Sequence, residues 1–469
     1  MSGPLRERAV LVSVQPPTVT DADHEADLVE LGRLAKTLGF EVVATVSQRR
    51  AAPDHGAVLG AGKLAELARW TGGDGVVAPP ARTRPHRARA RWRASPPEDA
   101  GSGAGSEAAD REEEADQAGA GDLPPVEPER RASVVIVNGE ITPSQARNLE
   151  RATGARVTDR TGVIVEIFHR HARSREARLQ VELARLAYVA PRLRETGRSA
   201  GQRQQGRGAG DTELELDRRR IRDRIAELRD ELASIQRERE TRRALRQATR
   251  SVALVGYTNA GKSSLMRALT GSAVVVADQL FATLDTTVRA LQPETRPRIL
   301  LSDTVGFIKH LPHHLVASFR STLDEARAAS LLLHLVDAAD PAREEQARIT
   351  RAVLDEIGAG AVPCRLVMNK IDRLSPAERA DLAAAYPGAL LVSAHDPAGV
   401  AAVRGAILEF FAGRAQEAEL SVPYGRAAVV SAIFDSAEVL EQACDEVGIR
   451  LRVRADAPVL ERLRALVAR

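Results

Sequence analysis

Cysteine is nearly absent from the chain. Two among 469 residues, Cys364 and Cys444, cannot build a disulfide framework, so a reducing cytosol is the natural compartment. Long apolar runs are missing as well: the stretch 331–336, interrupted by His334, falls far short of the about 18 residues that a membrane helix needs. The opening residues lack the charged-then-apolar pattern of a secretory leader, and the last four lack a prenylation cysteine. A cytoplasmic protein without membrane insertion is expected. Charge of one sign is not in excess either. Lys+Arg 67 against Asp+Glu 64 leaves +3, so any nucleic-acid surface must be local. Lysine is the scarcest charge: Lys36, Lys63, Lys262, Lys309 and Lys370 are five of the 67 basic residues. In so arginine-biased a chain a lysine points to a place where a compact ammonium serves and a planar guanidinium does not fit.

What is present has an order along the chain. The length suggests about three domains. Residues 9–14 and 41–46 have the composition of short strands, residues 26–38 have helical spacing ended by Gly39, and a helix starts after Gly60-Ala61-Gly62. At Gly72 the pattern stops. Arg82, Arg84, Arg87, Arg89, Arg91 and Arg93 form a basic run, and residues 94–125 carry nine acidic residues and one Arg among small residues and proline. Such a stretch cannot bury enough apolar surface to offset its ordering entropy, so residues 72–132 are expected to be a disordered insertion. The strand 134–137, a helix from Pro143 and a strand near Val157 resume the pattern. Residues 1–71 and 133–171 are thus expected to form one N-terminal α/β domain.

Residues 172–249 are expected to form an antiparallel helical hairpin. Leu179, Leu183, Leu186 and Ala190 recur at helical spacing, and Leu214, Ile221, Ile225, Leu228, Leu232 and Ile235 follow a heptad seam. The connection 197–210 holds five glycines with Arg198, Arg203 and Arg207. Two readings stand: a flexible link, or a basic tip offered to RNA phosphates.

Chemistry enters at residue 251. An apolar run leads into Gly256-Tyr257-Thr258-Asn259-Ala260-Gly261-Lys262-Ser263-Ser264, the phosphate-binding pattern G-x-x-x-x-G-K-[ST] between a strand and a helix. Backbone N–H groups surround the phosphates, Lys262 reaches the β and γ oxygens, and the Ser263 hydroxyl is a magnesium ligand. Next comes Asp303-Thr304-Val305-Gly306, whose aspartate suits a magnesium-bound water and whose glycine N–H suits a γ-phosphate. Asn369-Lys370-Ile371-Asp372 follows a further strand. Its carboxylate can accept two hydrogen bonds from the guanine edge, which adenine does not offer. Ser393-Ala394-His395 then follows the strand 390–392, with backbone in place for the guanine oxygen. Four motifs in this order predict a doubly wound, mostly parallel α/β sheet over residues 250–414 that binds GTP and GDP.

The chain resembles HflX-type GTPases, a ribosome-associated branch of the translation-factor-like P-loop GTPases. The resemblance is carried by GAGK from Gly60, ITPSQARNLE from Ile141, DRTGVIVEIF from Asp159, SREARLQVELARLAYVAPRL from Ser174, ELELDRRRIRDRI from Glu213, GYTNAGKSSL from Gly256, FATLD from Phe281 and DTVGFIKHLPHHLVASFRSTLDEA from Asp303. It implies the multidomain order just described, closed by a small C-terminal α/β domain at 415–469. It also implies GTP hydrolysis stimulated by the large ribosomal subunit and its RNA, and splitting or rescue of stalled ribosomes. By the resemblance Phe281-Ala282-Thr283-Leu284-Asp285 is the first switch, with Thr283 as second magnesium ligand; the residues alone leave Thr286 and Thr287 equally open. Lys262, Thr283 and Gly306 are then the groups expected to act in hydrolysis. Asn259 stands where several related GTPases bind potassium, so K+ is expected beside Mg2+. Two departures are visible: the hairpin loop reads GQRQQGRGAGDTE, and the proline usual after Asp285 is Thr286.

Other features carry less. Lys63 in Gly60-Ala61-Gly62-Lys63 suits a plain helix start better than a second nucleotide site. His313 and His314 have no third partner at metal-ligand spacing. Phe307 stands where many GTPases carry a water-orienting glutamine, and an aromatic ring cannot orient water, so slow intrinsic turnover is expected. A monomer is expected. The competing reading is a guanine-nucleotide switch that recruits partners without remodelling ribosomes.

Overall fold

The computed structural model describes residues 7–77, 126–196, 209–246, 250–271, 280–281, 287–309 and 320–468. Most of the 72–132 insertion, the hairpin connection 197–208, Ala282, Thr283, Leu284, Asp285, Thr286, His313 and His314 lie outside them. The chain is an α/β protein that divides into two compact units, residues 1–167 with 188–218 and residues 168–187 with 219–469.

The first unit holds a four-stranded parallel sheet in the order β2-β1-β3-β4, from β1 (Arg8–Gln15), β2 (Glu41–Arg49), β3 (Val134–Val137) and β4 (Arg156–Asp159). Central β1 and β3 are covered on both faces, which is why they read as continuous apolar runs. Helix α1 (Asp21–Thr37) starts five residues earlier than its apolar spacing predicts, because the Thr20 side chain caps it by accepting from Asp23 N at 3.2 Å. Helix α2 (Ala61–Thr71) ends at Gly72 with φ of 90°, and Lys63 inside it pairs with Glu66 at 2.7 Å, as a plain helix start would have it. Helix α3 (Pro143–Thr153) opens with proline and a reciprocal cap between Thr142 and Gln145. Helix α4 (Arg160–His171) was not foreseen; its Val163, Ile164, Ile167 and Phe168 are buried at helical spacing.

Helices α5 (Arg175–Thr196) and α6 (Ala209–Arg246) pack through Leu179, Leu228 and Leu232, with Leu183, Leu186 and Ile235 beside them. Arg224 grips both carboxylate oxygens of Glu182, at 2.9 and 3.2 Å. At the far end of α5, Tyr188 and Arg192 each donate to buried Asp159 at 2.7 Å.

The second unit is built on a six-stranded sheet, order β10-β9-β8-β5-β7-β6. Its strands are β5 (Arg250–Gly256), β6 (Thr287–Ala290), β7 (Ile299–Asp303), β8 (Leu331–Asp337), β9 (Cys364–Asn369) and β10 (Leu390–Leu391). Only edge strand β6 runs antiparallel to its neighbour. Helices α7 (Lys262–Thr270) and α11 (Pro397–Arg414) cover one face; α8 (Arg320–Arg327) and α9 (Arg343–Glu356) cover the other, with α10 (Pro376–Ala385) leading to β10. Residues of β5 alternate between the layers: Val252 and Leu254 meet α7 and α11, Ala253 and Val255 meet Leu332 and Leu354. The strand order reverses at β5, so the crevice for a ligand opens at its carboxyl end.

The chain closes with β11 (Ala415–Pro423), α12 (Ala427–Ser436), β12 (Glu438–Cys444), β13 (Gly448–Asp456) and α13 (Ala457–Ala468), whose strands pair antiparallel in the order β11-β13-β12. Leu451 and Val453 face the helices, while Arg452 and Arg454 face out and each meet Glu417 at 2.7 Å. Among the described residues no helix is long and apolar enough to cross a membrane.

Candidate nucleotide site

The loop between β5 and α7 has a shape that only its glycines permit. Gly256 has φ of 151°, and a Cβ there would lie 2.2 Å from Leu335 O. Gly261 has φ of 91°, and a Cβ there would strike Asn369 Nδ2 at the same 2.2 Å. Asn259 takes the left-handed conformation at φ 59° and is exposed, a position where asparagine is tolerated for loop geometry alone. Lys262 begins α7 and is buried, its Nζ donating to Gly256 O at 3.0 Å and Tyr257 O at 2.7 Å. Burial drives its pKa down to about 8; neighbouring Asp303 pushes the other way and Lys370 adds to the fall. An ammonium so placed wants an anion.

The Ser263 hydroxyl donates to Asp303 Oδ2 at 2.7 Å, joining the start of α7 to the end of β7. A hydroxyl and a buried carboxylate are hard oxygen donors, the set that suits magnesium. Thr304 is buried and donates to Leu254 O at 2.7 Å, so the Asp303-Thr304-Val305-Gly306 turn is tied to β5.

The other half of the site forms at β9 and β10. Asn369 donates from Nδ2 to Ala260 O at 2.9 Å and accepts at Oδ1 from Ala394 N at 3.0 Å, so one amide joins the phosphate loop to Ser393-Ala394-His395. Lys370 sits at φ 64° with its ammonium 2.7 Å from Asp337, a partner at the end of β8 that the motif alone does not name. Ile371 and Asp372 form a short 3-10 turn, and Asp372 is exposed. A hydrogen bond from Ser393 holds its carboxyl below the usual range, so it is an acceptor at neutral pH. His395 N donates to Ser393 Oγ at 3.3 Å.

Of the first-switch pentapeptide only Phe281 is described. It is buried at φ 59°, with its ring edge-on to Phe168 of α4, centroids 4.6 Å apart. Phe307 is 2% exposed and packs with Ala253, Val255 and Leu332, so its ring fills a hydrophobic layer. Its backbone does something the sequence gives no sign of. Tyr257 and Phe307 form a parallel bridge in which Thr258 N donates to Phe307 O at 2.7 Å and Phe307 N to Gly256 O at 3.1 Å. Lys309 N donates to the Tyr257 hydroxyl at 2.7 Å.

Three family descriptions match the chain: GTP-binding GTPase N-terminal over residues 25–77 and 116–169, GTP-binding GTPase Middle Region over 171–246, and 50S ribosome-binding GTPase over 251–370. A GTPase HflX of Gluconacetobacter diazotrophicus is 58% identical over 462 residues, covering 98% of each chain. That of Caldanaerobacter subterraneus is 33% identical over 467 residues, 98% of this chain and 94% of its own. That of Escherichia coli is 42% identical over 332 residues, 69% and 78% of the two chains. With identity at this level over nearly the full length, and with the three family descriptions covering most of it, the chain belongs to the HflX family of GTPases, which bind and hydrolyse GTP.

Proposed function

We propose that this GTPase works on the large ribosomal subunit, splitting or rescuing stalled ribosomes, with the hairpin α5–α6 sensing the subunit's RNA. The observation that carries the reading is the match of residues 251–370 to the 50S ribosome-binding description, on a chain whose hairpin ends in an arginine- and glycine-containing loop. The chain is organised as an N-terminal domain at 1–71 and 133–171, a hairpin at 172–249, a GTPase domain at 250–414 and a C-terminal domain at 415–469, and acts in the cytoplasm as a monomer.

Within the site the residues divide the work. Gly256 to Ser264 cradle the phosphates, Lys262 neutralises the β and γ oxygens, and Gly306 N–H detects the γ-phosphate. Ser263 and Asp303 fit magnesium, with Thr283 as a further ligand; the ion, when bound, supplies positive charge against the phosphate oxygens. Asp372 and the Ser393 to His395 backbone select guanine. Asn259 holds potassium as a fixed charge near the phosphates; equal GTP turnover in potassium and sodium buffers would remove that assignment. The slow isolated enzyme is accelerated when an outside surface orders the switches, because the position after Gly306 offers no water-orienting side chain. GTP turnover with and without purified large subunits tests the reading. Stimulation supports it; turnover that ignores the subunit leaves a nucleotide switch that recruits other partners.

A further inference from the structure

Gly306 lies directly on the phosphate loop. A Cβ added to it would be 2.9 Å from Thr258 Cα and 3.0 Å from Lys262 Nζ, so the glycine packs closely against the loop and the ammonium. A γ-phosphate is far larger than one atom, and seating it between Lys262 and the Gly306 N–H would push the glycine back from the loop. GDP makes no such demand.

Three contacts resist that withdrawal. Two are the backbone bonds of the Tyr257–Phe307 bridge. The third is the 2.7 Å bond from Lys309 N to the Tyr257 hydroxyl, which closes the segment three residues beyond Gly306. Tyr257 is 5% exposed, so water competes poorly for this bond. Lys309 is held again at its other end, its ammonium 3.1 Å from Glu345 of α9. The backbone bonds form with any residue at position 257, whereas the hydroxyl bond depends on tyrosine.

We propose that Tyr257 is a positioning residue that sets the preference between GTP and GDP, its hydroxyl holding Lys309, and with it Gly306, in the arrangement that accommodates the diphosphate. The inference rests on the assignment of residues 256–264 and 303–306 as the nucleotide site, and is independent of the ribosome. GTP binding has to break the hydroxyl bond; GDP binding leaves it intact. Tyr257→Phe keeps the ring and removes the bond.

The test is a fluorescence titration of wild type and Tyr257→Phe with GDP and with a non-hydrolysable GTP analogue, paired with amide hydrogen exchange at Lys309. The ratio of analogue to GDP affinity should rise about three- to tenfold in the variant, the range of one buried hydrogen bond. In wild type the Lys309 amide should be protected with GDP and lose protection with the analogue. A ratio within about twofold of wild type, or equal protection in the two nucleotide states, overturns the proposal. If Tyr257→Phe does not fold, the exchange comparison in wild type decides alone. Failure of wild type to bind either nucleotide would instead refute the site assignment.

Discussion

At the scale of single residues the site is governed by two charges. A hydrogen bond from Ser393 holds the Asp372 carboxyl below its ordinary range, and an ionised carboxylate would present only acceptors to a guanine edge. Asp372→Asn replaces one acceptor by a donor facing that edge, and the lost charge-assisted bonds should cost a few kcal/mol, on the order of 10²-fold in GTP affinity, with a gain for xanthine nucleotide. A binding assay in which GTP affinity stays unchanged and xanthine nucleotide gains nothing contradicts the assignment. Lys262 carries the opposite charge, and burial puts its pKa at about 8. Phosphates beside it favour the ammonium and raise that pKa, so binding takes up a proton above pH 8. GDP affinity should be level below pH 8 and fall by up to about tenfold per unit above it. Calorimetry at pH 9 in two buffers of different ionisation heat reads the proton directly; affinity independent of pH from 7 to 9.5 would show that Lys262 does not face the phosphates. These motif residues stand out in the sequence because phosphate and guanine recognition would fix both residue type and spacing, and the fold gathers them at the carboxyl ends of β5, β7 and β9. The Tyr257–Lys309 bond and the Lys370–Asp337 pair were not legible there, since each joins residues from different strand ends that only the folded sheet brings together.

At the scale of elements, legibility followed burial on two faces. Strands β3, β5 and β8 are mostly apolar because helices cover both sides, and the sequence marks them within a residue or two. Edge strand β6 reads Thr-Val-Arg-Ala, half-exposed, and carries no apolar signature. Helix α4 escaped notice because Asp159, which its first turn hydrogen-bonds through Gly162 N at 2.8 Å, also ends β4 and leaves no loop to mark a boundary. One buried polar group inside β8 makes the element sensitive to acid. His334 is 3% exposed, its Nε2 has no hydrogen-bond partner, and burial, aided by Arg351 and Lys262, lowers its pKa to about 4 from 6.5. Above pH 6.5 the ring is neutral in both states and pH has no leverage. Between 6.5 and 4 the unfolded chain binds a proton that the fold refuses, so stability falls as pH drops, by roughly 3 kcal/mol in total. His334→Leu should remove that part of the slope. Denaturant midpoints that fall in parallel for wild type and variant from pH 7 to 4 would show that the histidine is not the responsible group.

At the scale of the whole molecule, a nearly neutral chain could meet the proposed polyanion only through a local run of unbalanced charge. Net charge is only +3, and several arginines are engaged in pairs within the fold, as in Arg224 with Glu182 and in Arg452 and Arg454 with Glu417. On the C-terminal sheet every outward arginine from 450 to 454 meets a carboxylate, which makes that face a poor candidate for RNA. The segment 197–210, expected to be all connection but helical from Ala209, is different in composition: Arg198, Arg203 and Arg207 stand among glycines with Asp and Glu absent. If these three arginines displace counterions from ribosomal RNA, affinity for the large subunit depends on salt through them. Deleting residues 198–209 should then weaken binding and make the slope of log affinity against log salt shallower by about 2 to 3, near one unit per lost phosphate contact. The deletion removes no residue of the nucleotide site, so GDP affinity serves as its internal control. Sedimentation with large subunits across a salt series measures the slope. An unchanged slope with intact GDP binding would place the RNA contact on another surface and return the loop to a plain connection between α5 and α6.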